Sequence, residues 1–207
     1  MRVFLQLSTA FALAIGAVTP AIAQEGDPNA IACAVESGAG QVAGCTAWIG
    51  SGKLNDADAE KAFFIRGYAN YKVKDYARAI ADFGSAIRLK ARNAAAFLAR
   101  ANTYNDQGDY ARAVADYGVV IRLKPRQLSA FNNRGWAYYR LKDYTRAIAD
   151  YDAVIRLDPR NVKALYIRGL AKAKLGRSQA SKADIARAIA IDPDIANKFA
   201  KATGQSG

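Results

Sequence analysis

The 207 residues contain no histidine. Imidazole bases, histidine metal sites and serine–histidine nucleophiles are therefore excluded. Cys33 and Cys45 are the only thiols. If they are oxidised, neither a thiolate nucleophile nor a thiolate metal site is left. Paired carboxylates remain formally available because aspartate is plentiful, but the aspartates are spread at a fixed interval and not gathered. No glycine-rich phosphate loop follows a strand, and no strand is predicted. Catalysis is not expected, and neither is a cofactor or a bound metal. What recurs along the chain is binding chemistry: aromatic rings, cations and amides returning at a constant spacing.

That spacing comes from a repeat. "DYARAIADFGSAIRLKARN" at 75–93 returns as "DYARAVADYGVVIRLKPRQ" at 109–127 and as "DYTRAIADYDAVIRLDPRN" at 143–161, at an unchanging interval and without insertions. The period divides the chain into units 60–93, 94–127, 128–161 and 162–195. Within a unit, position 8 is small (Gly67, Ala101, Gly135, Gly169), as is position 20 (Ala79, Ala113, Ala147, Ser181). Position 24 is large: Phe83, Tyr117, Tyr151 and Ile185. The spacings 4-8-11 and 20-24-27 are helical, so each unit reads as two antiparallel helices with facing apolar stripes. Asp75, Asp109 and Asp143 suit the N-cap of the second helix. Pro125, Pro159 and Pro193 stop it. One such hairpin cannot bury its own apolar face, whereas stacked neighbours can. The expected fold is all-α, a right-handed superhelical solenoid with a continuous core.

"FNNRGWAYYRLKDYTRAIADYDAVIRLDPRN" resembles a tetratricopeptide repeat, with aromatic, Gly, Tyr, Tyr, Ala, Tyr and Pro at that family's intervals. The resemblance covers 60–195 and extends to exported bacterial members of the family. Unit one departs at Asn70 and Ala91, and unit four at Lys172, Ser178 and Ser181. The resemblance implies binding of a protein or peptide in a concave groove, without chemistry.

In such a solenoid one helix of each pair lines the inner surface, and positions 2, 5, 9 and 12 of the first helix form the candidate stripe. Unit one places Lys61, Phe64, Tyr68 and Tyr71 there. Unit two places Ala95, Leu98, Asn102 and Asn105; unit three places Ser129, Asn132, Trp136 and Tyr139. Unit four supplies Lys163, Tyr166, Leu170 and Ala173. Position 13 adds Lys72, Asp106, Arg140 and Lys174. Aromatic anchors and arginine dominate interface energetics, and Trp136 is the foremost contact expected. Asn102 and Asn133 could bond the backbone of an extended peptide. Several of these aromatics, Tyr71 and Tyr139 above all, would equally suit packing between repeats. Some tetratricopeptide domains clamp a C-terminal carboxylate. Asn102, Asn133 and Lys163 fall on three of those positions, but Leu98 and Ile167 replace the two cations the pairing needs, so that clamp is not expected.

Arg66, Arg100, Arg134 and Arg168 recur at position 7, and Asp82, Asp116, Asp150 and Asp184 at position 23. They are read as a structural ladder of ion pairs along the stack, not as a ligand site. Arg88, Arg122 and Arg156 fall in the last turn of the second helix, where cations offset the helix dipole.

Outside the repeats, "MRVFLQLSTAFALAIGAVTPAIAQ" has a basic start, an apolar run and an A-x-A site, so 1–23 reads as a signal peptide cut after Ala23. The run is too short and interrupted for a membrane anchor, and no later segment would span. Export to the periplasm or beyond the cell follows, with a mature chain 24–207 of 29 basic and 18 acidic residues, net +11. In an oxidising compartment Cys33 and Cys45 are expected to form a disulfide; the alternatives are two small buried apolar side chains or, less suited by the polar "QEGDPN", a lipid anchor. The bond would clasp a helical hairpin within 24–58, in which "PNAIACAVE" and "VAGCTAWIG" flank an "ESGAGQ" turn. Residues 196–207 are expected to give a short capping helix and a tail.

The expected function is a non-catalytic interaction scaffold of the cell envelope, taking a protein or peptide segment, acidic or aromatic ones included, in its groove. Nucleic acid is not expected, and the oligomeric state is not specified. The alternative is a basic protein that binds polyanions or envelope polymers through surface charge. Salt separates the two, because screening weakens charge-dominated binding steeply.

Overall fold

The structure is a computed structural model that describes residues 27–203. The signal peptide expected at 1–23 and the tail beyond 203 lie outside the described residues. Eleven α-helices and no strand occur among them: α1 (Pro28–Val35), α2 (Gly38–Gly50), α3 (Asp56–Lys72), α4 (Tyr76–Leu89), α5 (Ala94–Gln107), α6 (Tyr110–Leu123), α7 (Leu128–Arg140), α8 (Tyr144–Leu157), α9 (Val162–Lys174), α10 (Ser178–Ile191) and α11 (Ile195–Thr203). None of these helices is long and apolar enough to cross a membrane.

The carboxylates of Asp75, Asp109 and Asp143 accept hydrogen bonds from the backbone N–H groups of Arg78, Arg112 and Arg146, capping α4, α6 and α8. The corresponding residue before α10 is Arg177, whose side chain makes no such bond. Immediately before each of these caps, the chain is left-handed at the same point of every repeat. Gly108 and Gly176 take φ of 87° and 71° there, while Lys74 and Lys142 adopt 63° and 62°. Glycine does this without steric cost and lysine does not.

The two helices of a repeat cross closely because position 8 is small. A Cβ added at Gly67 would lie 2.9 Å from the ring of Phe83, and one at Gly169 would lie 2.7 Å from Cγ1 of Ile185. Phe83, Tyr117 and Tyr151 are completely buried at these crossings, each contributing about 1.5–3 kcal/mol through burial. Each helix also packs on its neighbours along the chain, so α2 to α10 form a continuous two-layer stack. The first helices α3, α5, α7 and α9 touch from one repeat to the next, and the second helices do not. The first-helix layer is therefore the tighter, inner side of a curved superhelical solenoid.

The Cys33–Cys45 disulfide joins α1 to α2, with both cysteines fully buried. The turn of this hairpin is shorter than "ESGAGQ" suggested. Ser37 is extended and Gly38 left-handed, so the chain reverses within Glu36 and Ser37 and α2 begins at Gly38. The first helix of unit one likewise starts before the repeat frame, at Asp56, because Asn55 caps it through the N–H of Asp58.

At the far end, α11 turns back onto the stack. Ile195 is buried against Leu165 and Ala188, while Phe199 reaches past α9 to side chains of α7.

Candidate binding groove

The inner layer carries two aromatic sets built from the same repeat positions, one in the first repeat and one in the third. In the first, Tyr68 and Tyr71 lie 6.2 Å apart between ring centroids, and Tyr71 lies 6.1 Å from Tyr76. Lys72 sits over Tyr68, its Nζ 5.8 Å from the ring centre. In the second, Trp136 stacks on Tyr139 at 5.6 Å, and Tyr139 meets Tyr144 edge-on at 5.4 Å. Arg140 covers Trp136 at 5.4 Å and Tyr110 at 4.7 Å. Helical periodicity accounts for both sets. Positions 9, 12 and 13 share one face of the first helix, and the tyrosine opening the second helix packs onto that face.

The sets differ in what covers them. Phe199 of α11 lies edge-on to Trp136 at 5.8 Å and to Tyr166 at 5.4 Å. Trp136, expected as an open contact, is therefore half-buried by a segment of its own chain. Tyr68 has no such cover and is 49% exposed. Beside it a recess of about 220 Å³ opens between the first two repeats, lined by Phe64, Tyr68, Tyr71, Leu98 and Asn102 among others.

Asn102 and Asn133, expected to bond a peptide backbone, are instead engaged with each other. Asn102 Oδ1 accepts from Asn133 Nδ2 at 3.0 Å and from the Tyr117 hydroxyl at 2.7 Å. Position 9 of one repeat lies against position 6 of the next, so the amides meet before any ligand can reach that oxygen. Asn132 is half-buried, and its side-chain oxygen has no hydrogen-bond partner within the described residues. The Tyr71 hydroxyl donates to Asp106 Oδ2 across the repeat boundary at 2.6 Å, and this bond raises the tyrosine's pKa. Lys61 pairs with Asp58 one turn earlier at 3.3 Å. Lys163 is exposed. Lys72, Arg140 and Lys163 form no ion pair among the described residues, and neither does Asp106, so the balance of charge along the groove is positive.

The position 7 and 23 charges pair as expected, one ion pair in each repeat, and each pair closes within its own hairpin. Arg66, Arg100, Arg134 and Arg168 each grip one carboxylate, Asp82, Asp116, Asp150 or Asp184, with two nitrogens at 2.5–3.0 Å. Their fixed separation places these side chains opposite one another across the helix crossing. Among the described residues only Arg168 reaches an acid of the preceding repeat, Asp152, at 2.6 Å. Two of the departures in the outer units are part of this scheme. Asn70 and Lys172, standing where the middle repeats have Tyr104 and Tyr138, donate a further hydrogen bond to Asp82 and Asp184.

Sequence reasoning missed Phe199, Tyr76, Tyr144 and Tyr110 as groove residues. The tyrosines opening the second helices could have been found from their recurrence. Phe199 lies beyond the last repeat, and no periodicity points to it.

The tetratricopeptide repeat family model matches residues 66–127, 98–161 and 132–194. A comparison with curated proteins finds no match. Among solved structures, MamA (residues 41 to the end) from Desulfovibrio magneticus RS-1 is 16% identical with a TM-score of 0.66, over 74% of this chain and 84% of its own. A tetratricopeptide repeat protein from Parabacteroides merdae is 19% identical with a TM-score of 0.68, over 74% and 60%. The first TPR of Spaghetti (RPAP3), bound to the HSP90 peptide SRMEEVD, is 23% identical with a TM-score of 0.56, over 60% and 99%.

Proposed function

The chain belongs to the tetratricopeptide repeat family, and from that premise we propose that it is a non-catalytic interaction scaffold of the cell envelope, holding a protein segment in its inner groove. One observation carries the reading. The groove already receives a helix, because α11 inserts Phe199 between Trp136 and Tyr166. A surface that takes an aromatic side chain in cis has the shape and the desolvated rings to take one in trans. The cations Lys72, Arg140 and Lys163, which have no ion pair among the described residues, favour acidic segments. The envelope location rests on the leader-like sequence at 1–23. A likeness to a fold that holds a peptide in RPAP3 agrees with groove binding, although the two cations a carboxylate clamp needs are Leu98 and Ile167 here.

The test is crosslinking capture from envelope extract, comparing the natural chain with the Tyr68→Ala, Trp136→Ala double variant at low and high salt. Partners should be lost with the double variant and should survive added salt in large part. An unchanged partner set would overturn the groove assignment. Loss with salt alone would favour binding by surface charge.

A further inference from the structure

The two aromatic sets of the inner layer share their aromatic and cationic positions, although Tyr71 bonds Asp106 where the matching residue of the fourth repeat is Lys174. Tyr68, Tyr71, Lys72 and Tyr76 correspond to Trp136, Tyr139, Arg140 and Tyr144 two repeats on. In each, an aromatic at position 9 carries a cation from position 13 over its ring, and tyrosines at positions 12 and 17 support it. The floor contributed by the following repeat also corresponds, Leu98 in the first set and Tyr166 in the second, both at position 5. The second set is completed by Phe199, which meets Trp136 and Tyr166. The first set has a recess of about 220 Å³ at its Tyr68–Leu98 edge. That is smaller than the ~300–1,000 Å³ of a pocket for a drug-sized molecule, but of the order one side chain needs.

We propose that the recess between the first two repeats is a specificity pocket for an aromatic side chain on an acidic helical segment of a partner protein, held as Phe199 is held two repeats away. The proposal rests on the groove reading above and adds the site and the chemistry of its occupant. Charge selects the partner. Lys72 over Tyr68 has no acid of its own among the described residues and Lys61 is paired with Asp58; Asp106, bonded by the neutral Tyr71 hydroxyl, keeps its negative charge, but the cations Lys72, Arg140 and Lys163 outnumber it along the groove. The whole chain is at +12. A second copy offering its own α11 would bring Lys198 and Lys201 to this cationic face, and like charges disfavour it. An α11-like helix with acids in place of those lysines would satisfy both the pocket and the field.

The probe is a fluorescein-labelled peptide of residues 194–203 carrying Lys198→Glu and Lys201→Glu, titrated by anisotropy against the full chain. It should bind, and Phe199→Ala within the peptide should weaken binding by about tenfold or more, as expected for an interface anchor. Tyr68→Ala in the protein should weaken it similarly; because Tyr68 is exposed, that variant should keep its helical circular dichroism. Leu98→Ala, at the pocket floor, provides a second reading. Arg156→Ala, in the last turn of α8 on the outer layer, should leave affinity within about twofold. Equal or tighter binding of the lysine-bearing natural peptide would make a second copy the occupant and overturn the acidic assignment. Sensitivity to Trp136→Ala but not to Tyr68→Ala would mean that the peptide displaces α11, and would overturn the pocket. If no peptide binds while extract capture still depends on Tyr68 and Trp136, this pocket assignment is wrong and the groove reading stands. If both fail, the groove reading is wrong as well.

Discussion

Phe199 stands edge-on to Trp136 with 5.8 Å between ring centres, although the whole of the fourth repeat lies between them in the chain. This contact ties the C-terminal helix to the inner face of the third repeat and covers one of the two aromatic sets. It also sets what a competing ligand must overcome: an intramolecular partner present at high effective concentration.

Phe199→Ala should therefore expose the indole. In a Trp48→Phe background, where Trp136 is the sole fluorophore of its kind, its emission should shift to the red and its accessibility to a quencher should rise. Loss of the half-buried ring should cost about 1–2 kcal/mol of stability. Unchanged emission would mean that α11 does not cover the groove in solution.

Tyr117 and Tyr151 occupy the same repeat position, both are buried, and burial raises the pKa of both. The Tyr117 hydroxyl donates to Asn102 at position 9 of its repeat, whereas the same position facing Tyr151 is Trp136, which cannot accept. The Tyr151 hydroxyl has no hydrogen-bond partner within the described residues. Tyr117→Phe should lower stability by about 0.5–1.5 kcal/mol, and Tyr151→Phe should leave it unchanged or raise it. Urea unfolding of the two variants decides this.

Arg134→Met leaves Asp150 buried without its partner and should cost about 3–5 kcal/mol. Adding Asp150→Leu should restore most of that, because the pair's attraction largely offsets its own desolvation. Peptide binding should persist in the double variant, since these side chains sit at the helix crossing and away from the groove. Loss of binding with helicity intact would assign the pair a role in the groove.

The cross-repeat bond between Arg168 and Asp152 exists because position 25 of the third repeat is an acid. In the second repeat that position is Gly118. A Cβ built on it would lie 3.7 Å from Nη1 of Arg134, in open van der Waals contact. Gly118→Asp should create the equivalent bond and remove a glycine from the interior of α6. The expected gain is about 0.5–1 kcal/mol, read as a higher urea midpoint.

Two chemically alike aspartates should respond to acid in opposite directions. Burial pushes Asp184 up, but Arg168 and Lys172 outweigh it and hold its carboxyl below the usual range. The stability it contributes is present above the unfolded-state pKa of about 3.9 and is lost as pH falls through the lower folded value. For Asp150, burial outweighs Arg134 and the carboxyl is raised. Its ionisation works against folding, and that penalty disappears as pH drops. Relative to Asp184→Asn, the natural chain should lose stability between about pH 7 and pH 3; relative to Asp150→Asn, it should gain. Equilibrium unfolding across that range tests both signs.

Much of the groove was legible in the sequence because its members recur. Tyr68 and Trp136, Lys72 and Arg140 are found by counting along a helical face. The Asp75, Asp109 and Asp143 caps follow from local chemistry. Lys74 and Lys142 were not legible as left-handed residues, since only Gly108 and Gly176, at the matching positions, advertise that conformation. Asn102 and Asn133 were placed on the right surface but credited with a free valence that they spend on each other. Both are amides on neighbouring helices, and only the distance between those helices says whether they meet.

By itself the sequence determined the all-α solenoid, the period of its repeat and the residue types facing inward, because periodicity and caps are local properties that any stacked chain must obey. Tertiary structure alone decided that the amides of Asn102 and Asn133 meet, and that Phe199 fills one aromatic set while the Tyr68 set stays open. Those outcomes depend on where a helix beyond the last repeat comes to rest and on how far side chains reach between neighbouring helices. Neither is encoded in a spacing along the chain.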